Sequence, residues 1–167
     1  LIPGCRIDLQ DGPSLLVYPT NAEGYAQLCE LLTLGNRRAE KGSCLLYKKD
    51  VYAGLKEVKL IALPPDTLNN RLQIETDFVK QLFGYREVFG NRLYLAARRL
   101  YNGQDAKYLF RLAELSHQSG VLLIATNDVH YHGPERRQLQ DILTCVREKT
   151  TIQQAGYLLH PNAERYL

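Results

Sequence analysis

An unbroken apolar run, Val121-Leu122-Leu123-Ile124-Ala125-Thr126, sits between two helical patterns. A run this short and this apolar suits a strand covered on both faces, as in a parallel sheet. Upstream, Ala106, Leu109, Phe110 and Ala113 make a helical face that Gly120 closes. Downstream, Pro134 stands where the first helical residue belongs, and Leu139, Ile142, Leu143 and Val146 supply a stripe to bury. Helix, strand, helix in that order predicts an α/β fold.

The earlier part of the chain fits the same class. Residues 1–9 read as a strand, Asp11-Gly12-Pro13 as a turn, and residues 14–18 as the second strand of a hairpin. Thr20-Asn21-Ala22-Glu23 reads as a capping box. It opens a helix whose face is Tyr25, Leu28, Cys29 and Leu32, with Gly35 as its stop. Residues 37–54 read as a loop with a short helix, and residues 58–63 as a strand. A helix is expected from Asp66 or Thr67, striped by Leu68, Leu72, Val79 and Leu82 and ended at Gly84. Residues 92–97 read as a strand and Asn102-Gly103 as a turn. The segment from Pro161 reads as the opening of another helix.

Composition excludes several classes. Of 167 residues, 45% are apolar and 23% charged, enough for a real core and ordinary for a globular domain. No apolar run is long enough to cross a bilayer. Cys5, Cys29, Cys44 and Cys145 form no C-x-x-C pair, which argues against a zinc ribbon and fits a reducing cytoplasm. The net charge of +3 permits contact with nucleic acid without arguing for it. Met is absent, which leads us to expect an internal piece of a longer polypeptide.

One place carries chemistry. The apolar run enters Asn127-Asp128-Val129-His130-Tyr131-His132, and catalytic side chains of α/β barrels gather at the carboxyl ends of strands. Asp128 and His130, two residues apart, can point to one side of an extended turn. They offer an oxygen and a nitrogen to zinc or manganese, although such a site needs three or four ligands. The competing reading is that these polar residues cap the next helix or bind backbone amides. His117 and His160 read as ordinary surface residues. No G-x-S-x-G elbow or G-x-x-x-x-G-K loop is present. Arg98-Arg99 and Arg136-Arg137 are candidate phosphate contacts, with a solvated face the commoner role for such pairs.

Several blocks carry a resemblance to a known family. They are residues 4–9 (GCRIDL) with 15–18 (LLVY), 28–42 (LCELLTLGNRRAEKG), 94–103 (YLAARRLYNG) and 125–147 (ATNDVHYHGPERRQLQDILTCVR). In order and content they resemble the PHP (polymerase-and-histidinol-phosphatase) domain of bacterial C-family DNA polymerases, the polymerase III alpha-subunit type, and in particular its error-prone branch. The resemblance implies a distorted (β/α)7-type barrel, present here as a partial barrel. Residues 1–160 would be a PHP domain lacking its early strands and His-x-His ligands, and residues 161–167 the connection to the polymerase palm.

Of the metal motif, only Asp128 and His130 match. Arg6 stands where metal-binding members carry Glu, and Leu100 lies near the place of a His. A permanent cation in place of a carboxylate removes a ligand and repels a metal. The resemblance therefore implies a structural module, with a degenerate zinc or manganese site, of an error-prone polymerase engaged in replication and lesion bypass. The magnesium of nucleotidyl transfer would belong to the palm, outside this chain. Partners would be DNA, through the parent polymerase, and other replication or mutasome proteins, with no membrane. The alternatives are a metal-dependent phosphoesterase or proofreading exonuclease of the same barrel type, and a domain for protein contacts alone.

Overall fold

The computed structural model describes residues 2–166. The chain divides into two compact units: residues up to Ala97 together with Phe110–Ile124, and Arg98–Leu109 together with the residues from Ala125 onward.

The first unit is built on a five-stranded sheet in simple order, β1 (Cys5–Ile7), β2 (Leu15–Pro19), β3 (Val58–Ala62), β4 (Leu93–Ala97) and β5 (Leu122–Ala125). The first two pairings are antiparallel and β3–β4 is parallel. Register explains the core. Ile7 lies opposite Leu15, Leu15 opposite Ala62, and Ala62 opposite Leu95, and all four are buried. Val17, Leu60 and Leu93 form the next buried row. With a period of two, those rows put one face of the sheet toward the core. The expected hairpin and the strands near residues 58–63 and 92–97 are present, while Leu1 lies outside the described residues.

Helix α1 (Ala22–Arg38) starts at Asn21, whose Oδ1 accepts the Gly24 amide at 2.9 Å. The reciprocal box expected from Thr20 and Glu23 does not form, because Thr20 donates to the Glu57 carbonyl and Glu23 accepts from Gln27. The buried face is Gly24, Leu28, Leu31 and Gly35. Tyr25 and Cys29 are exposed. The glycines set that rotation. A Cβ on Gly24 would collide with the Glu57 carbonyl, and one on Gly35 would sit 2.5 Å from Cys44 Sγ. Gly35 is thus a contact point, and the helix runs past it to Arg38.

Helix α2 (Lys48–Gly54) is the expected short helix. Its Asp50 accepts from the Tyr47 amide at 3.0 Å and from Arg38 at 2.6 Å. Helix α3 (Thr76–Phe89) starts later than expected and passes through Gly84. Asn69 explains the delay: its side chain accepts the Arg71 and Gln73 amides at 2.9 and 3.1 Å, a local turn that competes with helix. Phe78, Leu82, Tyr85 and Phe89 form the buried face of α3. Burial drives the Tyr85 phenol well above its ordinary range, and its hydroxyl donates to the Pro13 carbonyl at 3.1 Å.

Helix α4 (Asp105–Ser119) closes at Gly120, φ 66°, as expected. Its buried positions are Tyr108, Leu112, Leu115 and Ser119, whereas Ala106, Phe110 and Ala113 are exposed. Strand β5 is where the apolar run predicts it but is not covered on both faces. Val121 is buried, while Leu122, Leu123 and Ile124 are 67%, 37% and 37% exposed. Among the described residues β5 ends the sheet, so its outer edge has no neighbour.

The second unit contains a 3₁₀ turn at Pro134–Arg136 leading into α5 (Arg137–Arg147), then the short α6 (Ile152–Ala155) and another 3₁₀ turn at Gly156–Leu158. Pro134 does open this segment. The stripe of α5 was expected to be buried and is not: Leu139, Ile142, Leu143 and Val146 all face outward. Residues 161–166 form no helix, and Tyr166 makes a parallel bridge with Tyr131. The architecture is mixed α/β with an open sheet. Among the described residues no helix is long and apolar enough to cross a membrane.

Candidate site at the end of the fifth strand

Asp128 and His130 follow β5 in the second unit. Asp128 Oδ2 accepts from Arg98 Nη1 at 3.2 Å and makes a second, shorter ion pair with Arg165 Nη1. The two arginine side chains are only 11% and 13% exposed, against 38% for Asp128, so the guanidinia lie deeper than the carboxylate they share. His130 Nε2 lies 3.8 Å from the same oxygen. The His130 and His160 rings lie against each other, centroids 4.7 Å apart. Burial lowers the His160 pKa, and Arg165 and His130 push the same way against the weaker pull of Asp128 and Asp141.

Backbone bonds fasten the C-terminal segment to this turn. His130 and Tyr131 amides both donate to the Arg165 carbonyl, at 2.9 and 3.3 Å. Asn127 Nδ2 donates to the Tyr166 carbonyl at 2.7 Å. Asn162 Nδ2 donates to the Leu100 carbonyl at 2.8 Å, and the Leu100 amide donates to Asp105 at 2.6 Å. Leu100 itself is 8% exposed, a packed apolar residue. His160 is no bystander, since its carbonyl also accepts from Arg137 Nη2 at 2.7 Å. The roles of Arg165, Asn162 and His160 were missed from sequence because they lie more than 30 residues from Asp128. An acceptor-rich Asp128 turn followed by a late arginine was the only available signal.

The arginine pairs separate by role. Arg98 binds Asp128, and Arg137 binds the His160 carbonyl and lies 3.5 Å from Asp141. Arg99 and Arg136 are exposed, Arg99 resting over the Tyr101 ring at 5.5 Å. Arg136 borders a shallow cavity of about 320 Å³ with His130, His132, Gln140 and Leu143. Arg6, in the first unit, pairs with Asp8 at 2.9 Å. Partial burial would raise the Asp8 carboxyl, but hydrogen bonds from Ser14 and Arg6 outweigh it and hold it below the usual range.

In this arrangement the Asp128 oxygen nearest His130 is taken by arginine rather than open to a zinc or manganese ion. The one carboxylate oxygen turned toward His130 is shared by two guanidinia, so an arriving dication meets two positive charges. Among the described residues no three His, Cys, Asp or Glu side chains gather into a ligand set.

No family model matches the chain. Relatives are found by sequence. Over 168 residues, all of this chain, it is 44% identical to the error-prone DNA polymerase of Caulobacter vibrioides. It is 41% identical over 167 residues to the error-prone DNA polymerase of Sinorhizobium medicae, and 42% identical over 172 residues to error-prone DNA polymerase 2 of Agrobacterium fabrum. End to end, the chain is similar to one segment of proteins bearing that name. It spans about 15% of the length of the Caulobacter and Agrobacterium relatives and 14% of the Sinorhizobium one.

Proposed function

We propose that the chain is the later part of the PHP domain of an error-prone DNA polymerase, and that its strand-end Asp-x-His pair has become a structural clamp. The carrying observation is the Asp128 carboxylate held by Arg98 and Arg165. Two guanidinia supply the positive charge that an ion would otherwise bring, and because they come from separate segments they tie residues 98, 128 and 165 together. The PHP reading is supported by the motif blocks, and the polymerase reading by similarity running the length of the chain. In this reading nucleotidyl transfer and its magnesium belong to the palm of the longer protein, DNA is the partner of that protein, and other replication or mutasome proteins dock on it. Arg99 and Arg136 are the exposed members of the arginine pairs, available for phosphate.

Metal analysis and primer extension on the longer polypeptide, with Asp128→Ala as control, test both halves. The expected result is DNA synthesis without zinc or manganese bound at Asp128. Stoichiometric metal lost on substitution together with phosphoesterase turnover would instead establish the hydrolase reading.

A further inference from the structure

The surplus positive charge of the chain sits in one place. Residues 37–50 hold five Lys and Arg against two acids, a surplus of three, and the whole chain carries a net charge of +3. The remaining residues are therefore neutral as a set. Backbone bonds fold this stretch into a corner at the end of α1. The Leu45 amide donates to the Gly35 carbonyl at 3.1 Å and the Ser43 amide to the Glu40 carbonyl at 3.0 Å, so Lys41 stands in a turn. Arg38 Nη1 reaches Asp50 of α2 at 2.6 Å, a pair that cancels the charge of a buried carboxylate. Lys48 Nζ donates to the neutral Gln81 amide oxygen at 2.7 Å and keeps its charge. Arg37, Lys41 and Lys49 are exposed, and among the described residues none of them makes an ion pair. Tyr47 stands with these cations, 37% exposed, the Lys49 ammonium 5.7 Å from its ring centroid. An open trough of about 690 Å³ leads along α1 to the corner, bordered by Cys29, Glu30, Thr33, Leu34, Arg37 and Arg38. All of these residues belong to the first unit. The C-terminus of a helix attracts cations, which accounts for Arg37 and Arg38 but gives no reason for Lys41, Lys48 and Lys49.

We propose that this corner is a binding face for single-stranded nucleic acid, with Arg37, Lys41 and Lys49 meeting phosphates and the Tyr47 ring taking one base. Cations that follow a backbone, interleaved with an open aromatic ring, are what such a strand requires. A duplex keeps its bases stacked inside and has none to offer Tyr47. An acidic peptide would use the cations and leave the ring idle. A lipid surface asks for an apolar face to insert beside the cations, and Leu34 is the one large aliphatic side chain bordering the trough. The face goes beyond the proposed function, where DNA is held by the palm. It is also distinct from Arg99 and Arg136, which belong to the second unit. Binding here is a property of this chain and does not depend on the polymerase reading.

Fluorescence anisotropy of a labelled oligothymidylate of about ten nucleotides, titrated with the 167-residue chain, tests this. Binding should weaken with salt, with a logarithmic slope of about −0.7 for each phosphate neutralised. Arg37→Ala/Lys41→Ala/Lys49→Ala should weaken it by on the order of tenfold or more and flatten the slope by about 2. Lys41→Glu, a single change in an open turn, is the milder probe and should weaken binding about fivefold. Tyr47→Leu should lose about tenfold with the slope unchanged, while Tyr47→Phe keeps the parental affinity. Lys56→Ala/Lys80→Ala/Lys107→Ala removes the same charge from exposed lysines elsewhere and should stay within about twofold of the parent. Absence of binding to the single strand overturns the proposal, as does equal weakening by the two triple variants. Tighter binding to a duplex of the same length overturns it too, and so does polyglutamate that displaces the strand as well as unlabelled oligonucleotide.

Discussion

Replacing Asp128 with Asn keeps the shape of the side chain and removes its charge. Arg98 and Arg165 then face each other across a neutral amide, with side chains 11% and 13% exposed. A hydrogen bond to a charged group contributes about 1.5–3 kcal/mol. Exposure of the carboxylate beyond a third discounts each of the two bonds to about 1 kcal/mol. The expected cost is therefore about 2 kcal/mol, or roughly thirtyfold in a local opening equilibrium. The readout is amide exchange at His130 and Tyr131, both of which donate to the Arg165 carbonyl. Both should exchange roughly thirtyfold faster in Asp128→Asn. Arg165→Met should produce a similar loss, and the double variant should show a coupling of about 1 kcal/mol. Chelator should change none of these values. Exchange within about threefold of the parent, or a cost that appears only when zinc or manganese is added, would refute the clamp.

Gly24→Ala should lower stability by about 2 kcal/mol in urea unfolding, because the new Cβ meets a backbone carbonyl that has no rotamer to give. Arg38→Ala should lower the urea midpoint, since it leaves the Asp50 carboxylate with only the Tyr47 amide. That carboxyl is held below its usual range chiefly by the Arg38 hydrogen bond, so the parent should lose this contribution in acid as Asp50 protonates, and Arg38→Ala should show a flatter acid limb. His160 is depressed below the ordinary imidazole value, so its folded form prefers to be neutral. Stability from it is present above pH ~6.5 and is lost as pH falls through the lower folded value. His160→Gln should flatten that part of a stability-versus-pH curve.

Strands and punctuation were legible in the sequence, and helix rotation was not. Alternation and turn residues place β1 to β4, and Gly120 and Pro134 end and begin helices as their backbone preferences require. The faces of α1 and α4 came out rotated. In α1, two glycines are inward because backbone and sulfur approach them closely, a demand that hydrophobic periodicity cannot register. The late start of α3 depends on one asparagine side chain accepting two amides, which outweighs an imperfect apolar stripe. At the site, the Asp-x-His pair and the departures at Arg6 and Leu100 are local features. The partners of Asp128 depend on which distant segments the fold brings beside it.

The errors at β5 and α5 have a different origin. Periodicity says which residues avoid water; it does not say what covers them. For β5 and α5 the apolar pattern is real, yet Leu122, Leu143 and Val146 lie 67%, 55% and 71% exposed. Side chains of this size gain about 1.5–3 kcal/mol each on full burial. A helix free to choose would turn its aliphatics inward, but α5 holds Arg137, Asp141 and Thr144 inside instead. The same logic separates the two ends of the unit. The charged cluster at Asp128 finds its counter-ions in Arg98 and Arg165, whereas the outward side chains of α5 stay exposed because Arg137 holds the opposite face inward.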